Sequence, residues 1–598
     1  MKLSDYIAGF LAQHGVEHVF GLTGGAVVHL FDSVDRHPEM EPVFTHHEQA
    51  AAYAAEAYSR IRNKLGAAFV TTGPGGTNAI TGVCAAWLDS IPCIYISGQT
   101  RLAHTTRNKP IRQVGSQQLD IVSLVKPITK YAVMIEDPGR IRYELEKAAH
   151  IAQTGRPGPV WIDIPLDFQW ASIDPDSLPA FQPGLPDAPP RALPEQIRRC
   201  ADLIEKAKRP LLLAGMGVRL AHAESEFIQF LEATRIPFLS TWNASDIYPN
   251  DSELYIGRPG VFGQRGANLA IQNCDLLLSI GSHLSIPITG TIFKAFAREA
   301  KVVMIDVDKA ELDCANVHVE LAIHSDAKTF LQDIVSLAPA LQSNDIAEWR
   351  QASAGYRSRY NSIPAQWYEQ AQFVNPYVLV DLLSDQLTAE DIVVVDGGGT
   401  INQIAFQAFR VKRGQRLIIS SGLCAMGSGL PESVGACFAG GKRRTICLCG
   451  DGSLQLNIQE LQTIVHHKLP VKIFVTNNDG YLSIRHTQAG FLGGNFSGSS
   501  KEGGMSLPDV RRVAEAYGVP AIRISCHNEL KQGLTAFLGQ PGPALCEIMV
   551  SRDSQVDPRQ GFVERPDGTF AARPLEDMAP FLDRDEFMKN MFIGPWTE

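Results

Sequence analysis

The segment 450-GDGSLQLNIQELQTIVHHKLPVKIFVTNNDG-480 decides how the rest of the chain is read. It opens on an acidic residue, Asp451, held between Gly450 and Gly452 at the end of the apolar run "TICLCG". It closes on Asn477, Asn478 and Gly480 at the end of a second apolar run, "VKIFVT", with one amphipathic stretch between the two. Packing alone asks for no such ends. The interval from Asp451 to Asn478 is one helix plus one strand, so both turns open on the same crevice at the carboxyl ends of parallel strands, where open α/β sheets hold ligands. Glycines there let backbone amides approach an anion, and a helix over "LNIQELQTIVHH" points its positive N-terminus at phosphate. A hard cation such as Mg2+ takes carboxylate, amide or carbonyl, and phosphate oxygens. Asp451, Asn478 and the carbonyl of Gly480 are the metal-ligating residues this reading selects. An Asp capping a helix and an Asn in a left-handed turn would explain either element alone, but not the pair.

Working outward, further apolar runs recur with helical stretches between them: "AAFVTT", "CIYISG" and "VWIDIP", then "PLLLAG", "LLLSIG" and "VVMIDVD", then "IVVVDGGG" and "PALCEIMV" beside the two above. Continuous apolar strands separated by helices imply parallel sheets covered on both faces. The expected fold class is therefore α/β, with three doubly wound parallel-sheet domains. We set these at 1–171, 196–336 and 375–554, with linkers at 172–195 and 337–374 and a C-terminal tail at 555–598 that reads as a lid over the body. The first linker, "SIDPDSLPAFQPGLPDAPPRALPE", holds too much proline for a helix. The first and third blocks share a plan of glycine-rich turns after strands, as an internal duplication would give.

Bulk properties exclude several classes. A chain of 598 residues is too long for one core. A net charge of -10 with no clustered Lys/Arg stretch argues against a nucleic-acid surface. No segment has the roughly 18 consecutive apolar residues of a membrane helix. The eleven cysteines form no CxxC pair and mostly sit in apolar runs, as reduced thiols of a cytoplasmic protein do.

The GDG and double asparagine at this spacing resemble the signature of thiamine diphosphate-dependent enzymes. Together with "FGLTGGAVVHLFD", "THHEQAAAYAAEAYSR", "VTTGPGGTNAITGV", "GRPGPVWIDIP" and "SSGLCAMGSGLPESVGA", the chain looks like the acetohydroxyacid (acetolactate) synthase large-subunit branch, from its start to about residue 550. The resemblance implies a pyrimidine-binding first domain, a central domain and a diphosphate- and Mg2+-binding third domain. It implies that Glu48 is the acid that activates the cofactor ring, with Gly25 and Gln117 at the reacting carbon and Asn78 at the pyrimidine end. Met426 becomes the wedge beneath the cofactor, and the carbonyl of Cys424 holds its amino group. Gly398, Gly399, Thr400, Gly452, Ser453, Tyr481 and Leu482 complete the cofactor contacts. His47 matches the family's usual histidine.

The implied activity is decarboxylation of a 2-oxoacid, most simply pyruvate, and transfer of its two-carbon unit to a carbonyl acceptor. A decarboxylase, lyase or C–C hydrolase using the same cofactor is the alternative. The implied assembly is a homodimer or homotetramer with sites between subunits. Three departures mark this chain. Gly399 and Thr400 stand where the synthases present Gln and His. The middle block keeps "LLLAGMGVRL" yet lacks the Arg and paired Asp of flavin-binding relatives, so FAD stays open, with Arg265 as a phosphate-reaching cation. Thr487 replaces an acceptor-pocket tryptophan, Tyr481 and Arg485 bring a hydroxyl and a cation to that pocket, and the loop 101–115 brings Arg101, Arg107, Lys109 and Arg112 to the entrance.

Overall fold

Eighteen parallel strands in three sheets build the frame in the computed structural model, which describes residues 1–184, 188–337 and 345–597. Positions 185–187 and 338–344, inside the two expected linkers, and residue 598 lie outside the described residues. The first sheet comprises β1 (His18–Gly21), β2 (Glu41–Phe44), β3 (Gly66–Val70), β4 (Cys93–Gln99), β5 (Tyr131–Met134) and β6 (Val160–Pro165), in the order β2-β1-β3-β4-β6-β5. The middle sheet comprises β7 (Pro210–Ala214), β8 (Phe238–Ser240), β9 (Tyr255–Gly257), β10 (Leu276–Ile280), β11 (Lys301–Asp306) and β12 (Leu321–His324), in the order β12-β11-β10-β7-β8-β9. The third comprises β13 (Ile392–Val395), β14 (Arg416–Ile419), β15 (Thr445–Gly450), β16 (Val471–Asn477), β17 (Ala521–Ile524) and β18 (Ala544–Met549), in the order β14-β13-β15-β16-β18-β17.

Counted within each domain, the first and third sheets run in one and the same strand order, which gives the duplication read from their turns a topological form. The middle sheet runs third, second, first, fourth, fifth, sixth, the order of dinucleotide-binding folds. Burial follows position. β3, β4, β6, β7, β10 and β13 are buried at every residue, because helices cover both faces. The edge strands β2, β5, β12 and β17 are only partly buried.

The first and third domains meet through the helix Glu48–Arg62 and the helix Gly429–Ala439. Small residues make the approach close: a Cβ on Gly435 would sit 1.9 Å from the carbonyl oxygen of Ala54, and one on Gly82 would sit 2.5 Å from the Ala52 Cβ. Inside this contact Arg60 pairs with both Glu56 and Asp89 while almost fully buried. Glu432, on the facing helix, has both carboxyl oxygens buried without a partner, and burial holds its carboxyl well above the ordinary range. Burial of this kind disfavours the charged form of the acid.

The tail is pinned to the middle domain along most of its length. Gln272 donates to Glu576 (2.6 Å), Asn273 donates to the Asn590 carbonyl (2.9 Å), and Tyr356 donates to the same carbonyl (2.6 Å). The tail's first residues touch the third domain, where Gln407 donates to the Pro558 carbonyl (2.6 Å) and Asp557 donates to the Tyr377 hydroxyl (2.9 Å), and in the hairpin Phe562–Glu564/Phe570–Ala572 Phe570 meets Phe491 edge to face at 4.9 Å.

The helix contact yields a prediction of opposite signs. Gly435→Ala pushes a methyl into a backbone carbonyl and should cost about 1–3 kcal/mol, lowering the thermal midpoint. Gly9→Ala, in a helix where a Cβ meets nothing within 4 Å, should raise stability by about 0.5–1 kcal/mol. Calorimetry of the two variants reads both, and equal shifts would contradict this packing.

Candidate functional site

In each flanking domain the strand order reverses at an equivalent place, between β1 and β3 in the first and between β13 and β15 in the third. In the third domain a buried aspartate ends or follows each of those strands. Asp451, 2% exposed, follows β15. Its Oδ2 accepts from the amides of Asn478 (3.2 Å) and Gly480 (3.1 Å) and its Oδ1 from Gly452 (2.9 Å). One carboxylate thus ties the end of β15 to the turn after β16. Asp396, 1% exposed, follows β13 and does the same work: it accepts from Gly398 (2.9 Å), Gly427 (3.0 Å) and Gly429 (2.9 Å). Burial pushes both carboxyls up to about 6, against the pull of these amides.

The two ties shape a cavity of about 850 Å³. Gly398, Gly399, Thr400, Cys424, Met426, Asp451, Gly452, Ser453, Asn478, Gly480, Tyr481 and Leu482 all line it. Gly399 has φ 83 and precedes the helix Thr400–Ala408, and a Cβ there would meet nothing within 4 Å. Gly398 is required by Met426, whose Cγ would lie 2.3 Å from an added Cβ, and Gly452 by Tyr481, whose Cε1 would lie at 2.3 Å. Cys424 holds a left-handed φ of 52 that aims its carbonyl away from the regular chain direction. The cavity thus brings the backbone at Gly398, Gly399 and Thr400 together with Asp451, Asn478 and Gly480. Among the described residues no group of three or more His, Cys, Asp or Glu is placed to hold a metal ion. A cation here therefore needs amide, carbonyl and ligand oxygens, the donor set of a hard divalent ion bound with phosphate.

In the first domain, Glu48 opens the helix Glu48–Arg62 and is 6% exposed. Asn78 donates to its Oε2 (3.0 Å), and a Cβ on Gly75 would lie 3.5 Å from its Oε1. Gly25 sits in the turn after β1, where Ala26 donates to Thr71 (3.4 Å). Gln117 has φ 66 and its carbonyl accepts from Thr72 (3.2 Å). These four lie together at the carboxyl ends of β1 and β3, but none of them lines the cavity of the third domain. His47 accepts from the Gln49 amide (3.2 Å) as the helix cap, a structural task.

Several expectations are corrected. The helix read over "LNIQELQTIVHH" is broken: one helical turn, Asp451–Leu454, starts at the aspartate itself, a 3-10 turn follows, and a helix resumes at Glu460–His466. The buried Asn457 interrupts it by donating to the Gly427 carbonyl (2.7 Å) and to Gln49 (3.0 Å). Arg265 reaches no phosphate position; it donates to the carbonyls of Met578 (3.1 Å) and Pro580 (2.5 Å) in the tail. In the entrance loop Arg107 pairs with Glu136, Lys109 donates to the carbonyls of Ala103 (3.3 Å) and Thr105 (3.0 Å), and Arg101 stacks over Trp170. Arg485 turns from the acceptor side into the protein, onto the carbonyls of Asn478 and Asp479. The residue sequence reasoning missed is Asp396. Its signal was present in "VVVDGGG", a strand-end Asp-Gly that repeats the pattern of "CLCGDG".

The cavity continues into the middle domain, between the ends of β7 and β10, along Met216, Gly217, Ser282, His283 and Asp306. The glycine turn there is closed on itself: Gly217 donates to the Gly281 carbonyl (3.0 Å), and Gly215 to that of Ile280 (2.9 Å). Arg156, on the same wall, is paired with Glu311 (2.5 Å) and Asp308 (3.3 Å).

Known families and relatives bear on this geometry. Residues 1–124 match the family described as thiamine pyrophosphate enzyme, N-terminal TPP binding domain; 197–334 match its central domain and 397–548 its C-terminal TPP binding domain. The chain is 33% identical to a probable acetolactate synthase large subunit of Methanocaldococcus jannaschii, over 98% of each chain. It is 32% identical to the chloroplastic acetolactate synthase 2 of Nicotiana tabacum, over 93% of this chain and 83% of that one. It is 31% identical to an acetolactate synthase large subunit of Porphyra purpurea, over 92% of each.

The raised carboxyls give a pH prediction. An acid whose folded pKa exceeds its unfolded value adds stability that is complete below the unfolded value and is lost as pH rises through the folded one. For Asp451 the window runs from about pH 4 to about pH 6. In the ligand-free protein, Asp451→Asn should therefore gain in thermal midpoint relative to the parent as pH rises from about 4 to about 7. A difference that stays constant with pH would contradict the burial argument.

Proposed function

The chain belongs to the thiamine pyrophosphate enzyme family, and from that premise we propose that it is a carboligase of the acetolactate synthase type, dependent on thiamine diphosphate and a divalent ion such as Mg2+. The observation that carries the reading is the shared cavity, which Gly398, Gly399 and Thr400 line together with Asp451, Asn478 and Gly480. The residues present fit the cofactor. Asp451, Asn478 Oδ1 and the Gly480 carbonyl would hold the ion, while the amides of Gly398, Gly399 and Thr400 and the Ser453 hydroxyl would receive the diphosphate. Met426 would support the ring system from below and the Cys424 carbonyl would orient the pyrimidine amino group. When bound, thiamine diphosphate supplies a nucleophilic carbon that adds to a 2-oxoacid carbonyl and a cationic ring that accepts the electron pair released with CO2.

Glu48 has the task of moving a proton. Asn78 occupies its Oε2, so we assign Oε1, on the side cleared by Gly75, to the proton shared with the pyrimidine ring nitrogen. Gly25 and Gln117 would line the space beside the reacting carbon. Because Glu48 lies outside the cavity of its own chain, we propose that it serves the cavity of a second copy, which makes a homodimer the smallest complete unit and leaves a homotetramer as two such pairs. The donor is assigned as pyruvate and the acceptor as a second carbonyl compound, giving 2-acetolactate when that acceptor is pyruvate. A cytoplasmic protein with reduced thiols accords with this role.

The middle-domain lobe has the topology of a dinucleotide site but not its phosphate donors, since its glycine amides and Arg156 are already engaged. The reading therefore needs no FAD.

Incubation of the purified protein with labelled pyruvate, thiamine diphosphate and Mg2+ tests the proposal. The expected product is ligated 2-acetolactate, and Glu48→Gln should reduce its rate by about 10²- to 10⁴-fold. Acetaldehyde as the only product would overturn ligation, and an undiminished Glu48→Gln rate would overturn the assigned acid.

A further inference from the structure

The turn Asn478–Gly480 presents more oxygen atoms than one ion can use: the carbonyls of Asn478, Asp479 and Gly480, and the Asn478 amide oxygen. Which of them face the cavity is decided by a side chain outside it. Arg485, in the first turn of the helix Leu482–Phe491, is 7% exposed. Its Nη2 donates to the Asn478 carbonyl (2.8 Å) and its Nη1 to the Asp479 carbonyl (3.0 Å) and the Ser499 carbonyl (3.3 Å). Nη2 stands farther, at 3.4 Å, from Asn478 Oδ1. Among the described residues Arg485 makes no ion pair. A buried guanidinium without a carboxylate is costly unless its donors are satisfied and a counter-charge lies near.

The surrounding chain is built around it. Gly480 has φ 135, and an added Cβ would lie 2.9 Å from Arg485 Nη1 and 2.4 Å from the Ser499 carbonyl oxygen. Tyr481 donates to that same Ser499 carbonyl (3.1 Å). Asp451 holds the amides of Asn478 and Gly480 from the other side. The turn is therefore gripped by its amides through Asp451 and by two of its carbonyls through Arg485. Of the turn's oxygens, the Gly480 carbonyl takes no hydrogen bond from Arg485, and Asn478 Oδ1 takes only the longest one, at 3.4 Å.

We propose that Arg485 is a positioning residue that selects these two oxygens for the divalent ion and adds a fixed positive charge beside the diphosphate. The inference rests on the function proposed above. A diphosphate carries more negative charge than one divalent ion neutralises, which gives a buried guanidinium at this distance a counter-charge once the site is filled. It also removes Arg485 from recognition of the acceptor.

The test compares the full-length protein with Arg485→Lys and Arg485→Met. Mg2+ is titrated at saturating thiamine diphosphate, and the cofactor at saturating Mg2+, by calorimetry, with the acceptor KM measured separately. Arg485→Met should raise the half-saturating Mg2+ concentration by about tenfold or more, as loss of a group that orients a ligand does. Arg485→Lys, which keeps the charge and loses the fork, should fall between. Unchanged Mg2+ and cofactor titrations with a raised acceptor KM would overturn the proposal and return Arg485 to the acceptor. If Arg485→Met fails to fold, Arg485→Lys decides by the same titration, and a Mg2+ half-saturation equal to the parent's overturns the proposal. A parent protein that takes up neither Mg2+ nor thiamine diphosphate would overturn the underlying function as well, an outcome the parent titration alone reveals.

Discussion

One buried carboxylate fixes the working end of this molecule. Asp451 accepts three backbone amides, two of them from the turn that follows the neighbouring strand, and so welds two strand ends into one rim. Asp396 repeats the device one strand away and welds two glycine turns. Burial raises both acids, while the amides, with the Ser453 hydroxyl at Asp396 and the Arg485 charge near Asp451, hold them toward the charged form. A divalent ion would complete what the amides begin.

The repeated strand order of the first and third domains gives this rim its counterpart. Each domain opens a crevice at the same switch point, but the two are furnished differently: amides and oxygens for an anion and a hard cation in the third, one buried glutamate with an asparagine partner in the first. Within a chain the two domains are joined through the alanine-rich helix after Glu48, whose small side chains let a second helix approach to backbone contact. Glu48 lies outside the cavity of its own chain.

The sequence made the centre of each sheet legible, because strands covered on both faces must be continuously apolar; β2, β5, β12 and β17 escaped notice because half-exposed edge strands need not be. Asp451 and Asn478 were legible through their interval. Asp396 was not, since "DGGG" reads first as a flexible turn, and only the fold reveals that its side chain gathers amides from a segment some thirty residues on. Arg485 and Arg265 were misread for a shared reason: a cation in a sequence has no direction, and both side chains turn inward to satisfy carbonyls. The helix after Asp451 was drawn too long because its amphipathic pattern continues through Asn457, whose side chain prefers a tertiary carbonyl.

The measurement that bears most directly on the central claim, that a complete site draws Glu48 from one copy and Asp451 from another, is co-expression of a Glu48→Gln chain with an Asp451→Ala chain. Each homomer is inactive on this account, but a mixed dimer holds one site with both native residues, so random pairing should restore activity to about a quarter of the native level. Verified mixed dimers that remain as inactive as either parent would contradict it.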